Sequence, residues 1–151
     1  MSLESDIAVL RKVRLFDELE TEQLRLLAFG AEHRRLRAGE FVYREAARAD
    51  AGFVIADGSV VLTRGRPERE KLIGVFGPGD LLGELALLTE TVRPASAKAD
   101  TDCDLIRIGR PLFRRMLEEF PAFAQSLQGR LREDLAEMTR RLGEMEPRFR
   151  G

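Results

Sequence analysis

The 151 residues are 44% hydrophobic and 34% charged, which is enough apolar material for the core of one ordinary domain and too little chain for two. The 25 Lys and Arg nearly cancel the 26 Asp and Glu, so the chain lacks the broad positive field that non-specific nucleic-acid binding needs. One cysteine, Cys103, and one histidine, His33, exclude intramolecular disulfides, thiolate-held zinc or iron–sulfur centres, His-rich catalytic metals and a workable nucleophile–histidine pair.

Met1 to Ile7 carries two acids and no apolar run, unlike a signal peptide, and nowhere do the ~18 consecutive apolar residues of a spanning helix occur. A soluble, cytoplasmic chain that does not insert in membranes is expected. From about residue 7 to 30 the period is helical: Ile7, Leu10 and Val13, then Leu24, Leu27 and Ala28, recur on one face, with Thr21 read as a cap and Gly30 as a stop. From Arg34 the period changes to short β-branched or aromatic runs, among them Phe41 to Tyr43, Phe53 to Ile55 and Val60 to Leu62. They are broken at Ala38-Gly39, Asp57-Gly58 and Arg64-Gly65-Arg66-Pro67. The runs continue through Lys71 to Phe76, Ala95 to Ala99 and Cys103 to Ile108. Turn signals every ~8–12 residues imply an antiparallel all-β unit over 33–109, a jelly roll or a small barrel.

Helices close the chain over 111–146, with Pro111 and Pro121 each where a first turn tolerates proline. Phe123, Leu127, Leu131, Leu135, Met138, Leu142 and Met145 form one apolar stripe, whose spacing alternates four and three from Leu131 onward. That stripe either packs on its own domain or pairs with the same helix of a second subunit; the heptad phase favours a homodimer through 121–146.

The most informative segment is Phe76-Gly77-Pro78-Gly79-Asp80-Leu81-Leu82-Gly83-Glu84-Leu85-Ala86-Leu87-Leu88, followed four residues later by Arg93-Pro94-Ala95-Ser96-Ala97. Gly83 permits close backbone approach, and Glu84 opens a short turn whose first amides are free to point at an anion. Arg93 adds a guanidinium fork that matches two phosphate oxygens, while the Glu84 carboxylate only accepts and so calls for hydroxyl or amide donors. One phosphate beside a free hydroxyl, as on a ribose phosphate, has this layout. The competing reading is that Glu84 and Arg93 pair with each other or brace local turns.

Leu82-Gly83-Glu84-Leu85-Ala86-Leu87-Leu88, four residues, then Arg93-x-Ala95-Ser96 resembles the phosphate-binding cassette of cyclic-nucleotide-binding domains. The resemblance extends over nearly the whole chain: Leu15-Phe16 and the helix after it, Ala38-Gly39-Glu40, Asp57-Gly58-Ser59-Val60, Phe76-Gly77-Pro78-Gly79-Asp80 and the two C-terminal helices fall in family order. It implies a single domain over 1–151, mainly β with flanking helices: a double-stranded β-helix, or jelly roll, containing an 82–97 cassette, with N-terminal helices and a long C-terminal helix. It implies that Glu84 takes the ribose 2′-hydroxyl with the Gly83 amide nearby, and that Arg93 pairs with the cyclic phosphate. Amides around Leu85 and Ala86 then complete the cradle, and Ser96 lines the pocket beside Ala95. The implied function is a cyclic-nucleotide sensor with no cofactor and no catalysis of its own, which moves a C-terminal helix to signal to a partner protein or a dimer mate.

The chain departs from the family at three positions. Pro94 stands where a residue with an amide, sometimes a hydroxyl, approaches the phosphate; one charge-assisted bond worth ~1.5–3 kcal/mol is missing. The absent hydroxyl leans toward cyclic AMP over cyclic GMP. Leu82 replaces a frequent aromatic, and Ala46 a frequent glycine, so the loop after Arg44 is expected to take a different path. An ungapped alignment of the last helix puts Met138 and Thr139 at the purine, the first able to pack and the second to hydrogen-bond. Only Glu146 to Gly151 follow that helix, so a helix-turn-helix and direct DNA reading are not expected. The competing class is a ligand-free scaffold or dimerisation module that keeps the fold.

Overall fold

The computed structural model describes residues 2–149, with the side chains at 131, 134, 135, 138, 139 and 141–149 outside that description. The chain divides into two compact units, Met1–Met116 and Leu117–Gly151. The first begins with α1 (Leu3–Arg11), a short 3-10 turn (Arg14–Phe16) and α2 (Thr21–Gly30). Helix α1 starts four residues before the apolar period shows it, because Ser2 and Ser5 cap its first turn reciprocally. The cap of α2 is Glu20, whose amide donates to Gln23 Oε1 at 2.9 Å, rather than Thr21. Thr21 Oγ1 instead accepts from Arg11 Nη2 at 2.8 Å and ties the two helices. Gly30 is the last residue of α2, as expected of a stop.

Ten strands follow: β1 (Glu32–Leu36), β2 (Phe41–Tyr43), β3 (Arg48–Ala49), β4 (Ala51–Asp57), β5 (Val60–Arg64), β6 (Lys71–Phe76), β7 (Leu81–Leu82), β8 (Thr91–Val92), β9 (Ser96–Ala99) and β10 (Cys103–Gly109). The first begins two residues before the expected Arg34. All pairings are antiparallel. One sheet runs β1-β10-β4-β7, a second β2-β9-β5-β6, and β3 with β8 makes a two-stranded ribbon.

The two four-stranded sheets bury one shared core. Phe53, Ile55, Leu82, Cys103 and Leu105 come from the first sheet and Val60, Ala97 and Ala99 from the second, with Tyr43, Leu62 and Phe76 partly buried against them. Strand β9 shows the period-two signature of such a face, its Ala97 and Ala99 buried and Ser96 and Lys98 half-buried. Strand β4 is buried through five residues, Ala51 to Ile55, because α1 and the cassette helix α3 (Glu84–Leu88) cover its outer side. That is the jelly-roll architecture expected from the sequence.

The single histidine and the single cysteine are both structural. His33 Nε2 lies 2.7 Å from Oδ2 of the buried Asp6, joining β1 to α1. Cys103 is buried on β10, its thiol donating to the Ser59 and Thr101 carbonyls at 3.2 Å. Helix α4 (Arg110–Glu119) follows β10, and Phe113 on it packs against Phe16 with ring centroids 6.3 Å apart. In the second unit, α5 (Pro121–Phe149) is one continuous 29-residue helix opening on Pro121. The seam residues from Leu131 onward that the heptad reading uses, and the purine-facing Met138 and Thr139, have side chains outside the described residues. No helix among the described residues is long and apolar enough to cross a membrane.

Candidate functional site

The cassette folds as strand, turn, short helix and return. Leu82 on β7 is buried and pairs with Phe53. The chain then reverses through Gly83, whose φ of 81° and ψ of 37° lie in the left-handed region that a side chain disfavours. The same position is a close approach: a Cβ built on Gly83 would lie 2.5 Å from Arg93 Nη1 and 3.3 Å from the Ala51 carbonyl oxygen. Glycine is therefore required twice, once by the turn and once by the arginine beneath it.

Helix α3 begins at Glu84, whose side chain is exposed, as is that of Leu85, while Ala86 and Leu87 are buried. The Ala86 amide already donates to the Gly83 carbonyl at 3.1 Å, closing the first turn, so the amides of Glu84 and Leu85 are those with no acceptor inside the helix. Glu84 and Arg93 do not pair. Among the described residues the Glu84 carboxylate makes no ion pair, and the Arg93 guanidinium is held by other groups.

Arg93 is the centre of the site. It is only 4% exposed, yet it makes no ion pair among the described residues. Its Nη2 donates to the Ala51 carbonyl at 2.8 Å, and its guanidinium carbon lies 4.1 Å from the centroid of the Tyr43 ring and 5.8 Å from that of Phe53. Its Nε is buried without a hydrogen-bond partner among the described residues. Asp50, the nearest acid in sequence to Ala51, pairs with Arg107 at 3.4 Å instead. Burial pushes the Arg93 guanidinium below its ordinary value; Tyr43 and Asp50 oppose that shift, and Arg107 and Arg110 add to it. A buried cation with an unspent N–H is a site that gains from an anion.

The backbone around Arg93 is pinned on both sides. Its amide donates to the Ala47 carbonyl and its carbonyl accepts from the Ala46 amide, both at 2.8 Å, and β3 and β8 extend that pairing. Ala46 keeps a positive φ of 71°. The expectation that alanine would send this loop along a different path is thus not met: the two backbone bonds to Arg93 hold the left-handed turn despite the methyl group, at about 1 kcal/mol.

Beyond Arg93, Pro94 is exposed and carries no amide hydrogen; its carbonyl accepts from Arg64 Nε at 3.0 Å. Ala95 is buried. The half-buried Ser96 accepts from the Glu45 amide at 2.8 Å, which fastens the loop after β2. The structure thus gathers Gly83, Glu84, Leu85, Ala86 and Arg93 around one turn and gives Pro94 and Ser96 bracing contacts beside it. Sequence reasoning missed Tyr43, Phe53 and Arg110. Arg110 donates from Nε to the Ala86 carbonyl at 2.7 Å and from Nη2 to the Ala49 carbonyl, joining the start of α4 to the cassette helix and to β3. Nothing in the local pattern marks these three, because their partners lie far off in the sequence. Among the described residues no group of three or more His, Cys, Asp or Glu is placed to hold a metal ion.

Comparison with known proteins agrees with this geometry. Residues 33–120 match the family described as the cyclic nucleotide-binding domain, and the chain belongs to that family. A cyclic nucleotide-binding-like protein from Brucella abortus is 46% identical, superposes with a TM-score of 0.69, and is matched over 75% of this chain and 97% of its own. The regulatory domain of Toxoplasma gondii PKA, solved with cAMP, is 27% identical with a TM-score of 0.70, over 76% of this chain and 44% of that one. The lysophospholipase nte1 of Aspergillus terreus is 28% identical over 116 residues, which are 76% of this chain and 8% of that protein. The chain therefore spans under a tenth of that relative and corresponds to one domain of it.

Gly83→Ala tests the close approach. The substitution should destabilise the domain by about 1 kcal/mol or more, the left-handed cost plus displacement of Arg93, as read by urea unfolding. An unchanged midpoint would show that the turn and the guanidinium are less tightly coupled than the 2.5 Å approach requires.

Proposed function

We propose that this domain is a cyclic AMP sensor, in which Arg93 takes the cyclic phosphate, the Glu84 carboxylate and Gly83 amide take the ribose 2′-hydroxyl, and the free amides at the start of α3 complete the cradle. The observation that carries this reading is the buried Arg93 guanidinium, which among the described residues has an unpaired Nε and no ion-pair partner and sits beneath the Gly83-Glu84 turn. The cAMP-bound Toxoplasma relative supports it from outside. Cyclic AMP is preferred to cyclic GMP because Pro94 brings no hydroxyl to the site.

Leu82, Met138 and Thr139 are the residues that the family resemblance offers to the purine, the last two on α5. Contacts made in only one position of that helix shift its conformational equilibrium. The output is then a movement of α5, read by an effector protein or by a second subunit paired through 121–146. The domain acts in the cytoplasm without binding DNA, inserting in a membrane or turning over its ligand. A ligand-free scaffold is the second reading, favoured by the donor missing at Pro94, and the same titration decides between the two.

Protein unfolded and refolded to strip co-purified nucleotide is titrated with cyclic AMP and then cyclic GMP by calorimetry. Wild type should saturate, cyclic AMP more tightly, and Arg93→Ala should weaken binding at least about tenfold with little change in fold. Pro94→Ala should tighten binding by restoring an amide donor. No heat with either nucleotide would overturn the cyclic-nucleotide reading and leave a ligand-free module or a ligand of another kind. Leu135→Asp should convert a dimer to a monomer in light scattering, and an unchanged mass would remove the helical seam as the interface.

A further inference from the structure

We propose that Tyr43 is a positioning residue for anion recognition: its ring holds the Arg93 guanidinium by one face and leaves the in-plane N–H groups for the phosphate. This rests on the nucleotide-binding reading above and adds a residue to it.

A guanidinium directs all five of its hydrogens in its own plane, so a partner on its face consumes none of them. A carboxylate partner, bound in that plane, would take two N–H groups and neutralise the charge that a phosphate must find. Here the face is covered by Tyr43 at 4.1 Å, one Nη is spent on the Ala51 carbonyl, and Nε is left unpaired. The charge is thus held still without being cancelled.

Tyr43 is itself fixed. Register places it opposite Ala97 on β9, and its ring centroid lies 6.1 Å from that of Phe53, tilted at 41°. Burial pushes its phenol above the ordinary range, with Arg93 acting the other way, so at neutral pH the ring is uncharged and the contact is cation on π-face rather than an ion pair. Pro94 supplies the reason such a hold matters: with one backbone donor missing, the phosphate depends more on Arg93 being in place before it arrives.

The test compares Tyr43→Phe with Tyr43→Leu. In ligand-free protein the Arg93 Nε–H signal, assigned by its loss in Arg93→Lys, should show an upfield ring-current shift in wild type and Tyr43→Phe and lose it in Tyr43→Leu. In calorimetry with cyclic AMP, Tyr43→Leu should bind about tenfold more weakly, and Tyr43→Phe within about twofold of wild type. A thermal scan checks that all three variants remain folded. Equal affinity of Tyr43→Leu and wild type, equal loss in Tyr43→Phe and Tyr43→Leu, or an unshifted Arg93 signal in wild type would each overturn the positioning role. A wild type that takes up no nucleotide while the Arg93 signal is ring-shifted would overturn the functional reading instead, and with it the phosphate for which the ring prepares.

Discussion

A charged guanidinium buried in a protein must be neutralised, hydrogen-bonded or supplied with an anion, and Arg93 has only part of the second. One N–H reaches a carbonyl, the face lies on a tyrosine ring, and the Nε edge is unpaired. Much of the surrounding architecture serves to hold that incomplete arrangement. The left-handed turn at Gly83 clears space above the guanidinium, the β3–β8 ribbon grips its backbone, and β4 supplies both the Ala51 acceptor and the Phe53 ring.

The jelly roll makes this possible at low cost. Two sheets sharing one apolar core fix the ends of β4, β7 and β9 independently of the loops, so the cassette is suspended between rigid strands. Three successive carbonyls from the end of β3 to the start of β4 are spoken for. Ala49 accepts from the Arg110 side chain, Asp50 from the Arg110 amide at 2.9 Å, and Ala51 from Arg93. The residue that begins α4 and the arginine of the cassette thus lean on the same short segment of backbone, so a change at one alters what the other rests on.

Much of this was legible in the chain itself, for definite reasons. Period-two runs broken by Asp57-Gly58 and Pro78-Gly79 announce antiparallel strands, and Gly83-Glu84 followed by Arg93 keeps its chemistry within eleven residues, where local order is enough to read it. The remainder depends on partners distant in sequence. Tyr43 meets Arg93 across fifty positions through the β2–β9 pairing, and the two-residue strands β3 and β8 carry no pattern of their own. The α2 cap moved from Thr21 to Glu20 because Gln23 reached back to the Glu20 amide. Ala46 holds its positive φ because a local preference of about 1 kcal/mol yields to two backbone hydrogen bonds.

The central claim is that the unspent edge of Arg93 exists to meet a phosphate. A crystal structure with cyclic AMP tests it directly. The account predicts a cyclic phosphate oxygen within hydrogen-bond distance, about 2.7–3.0 Å, of Arg93 Nε, with the ribose against Glu84 and the guanidinium still on the Tyr43 ring. A nucleotide bound elsewhere, with Arg93 Nε still unpaired beneath Gly83, would contradict it.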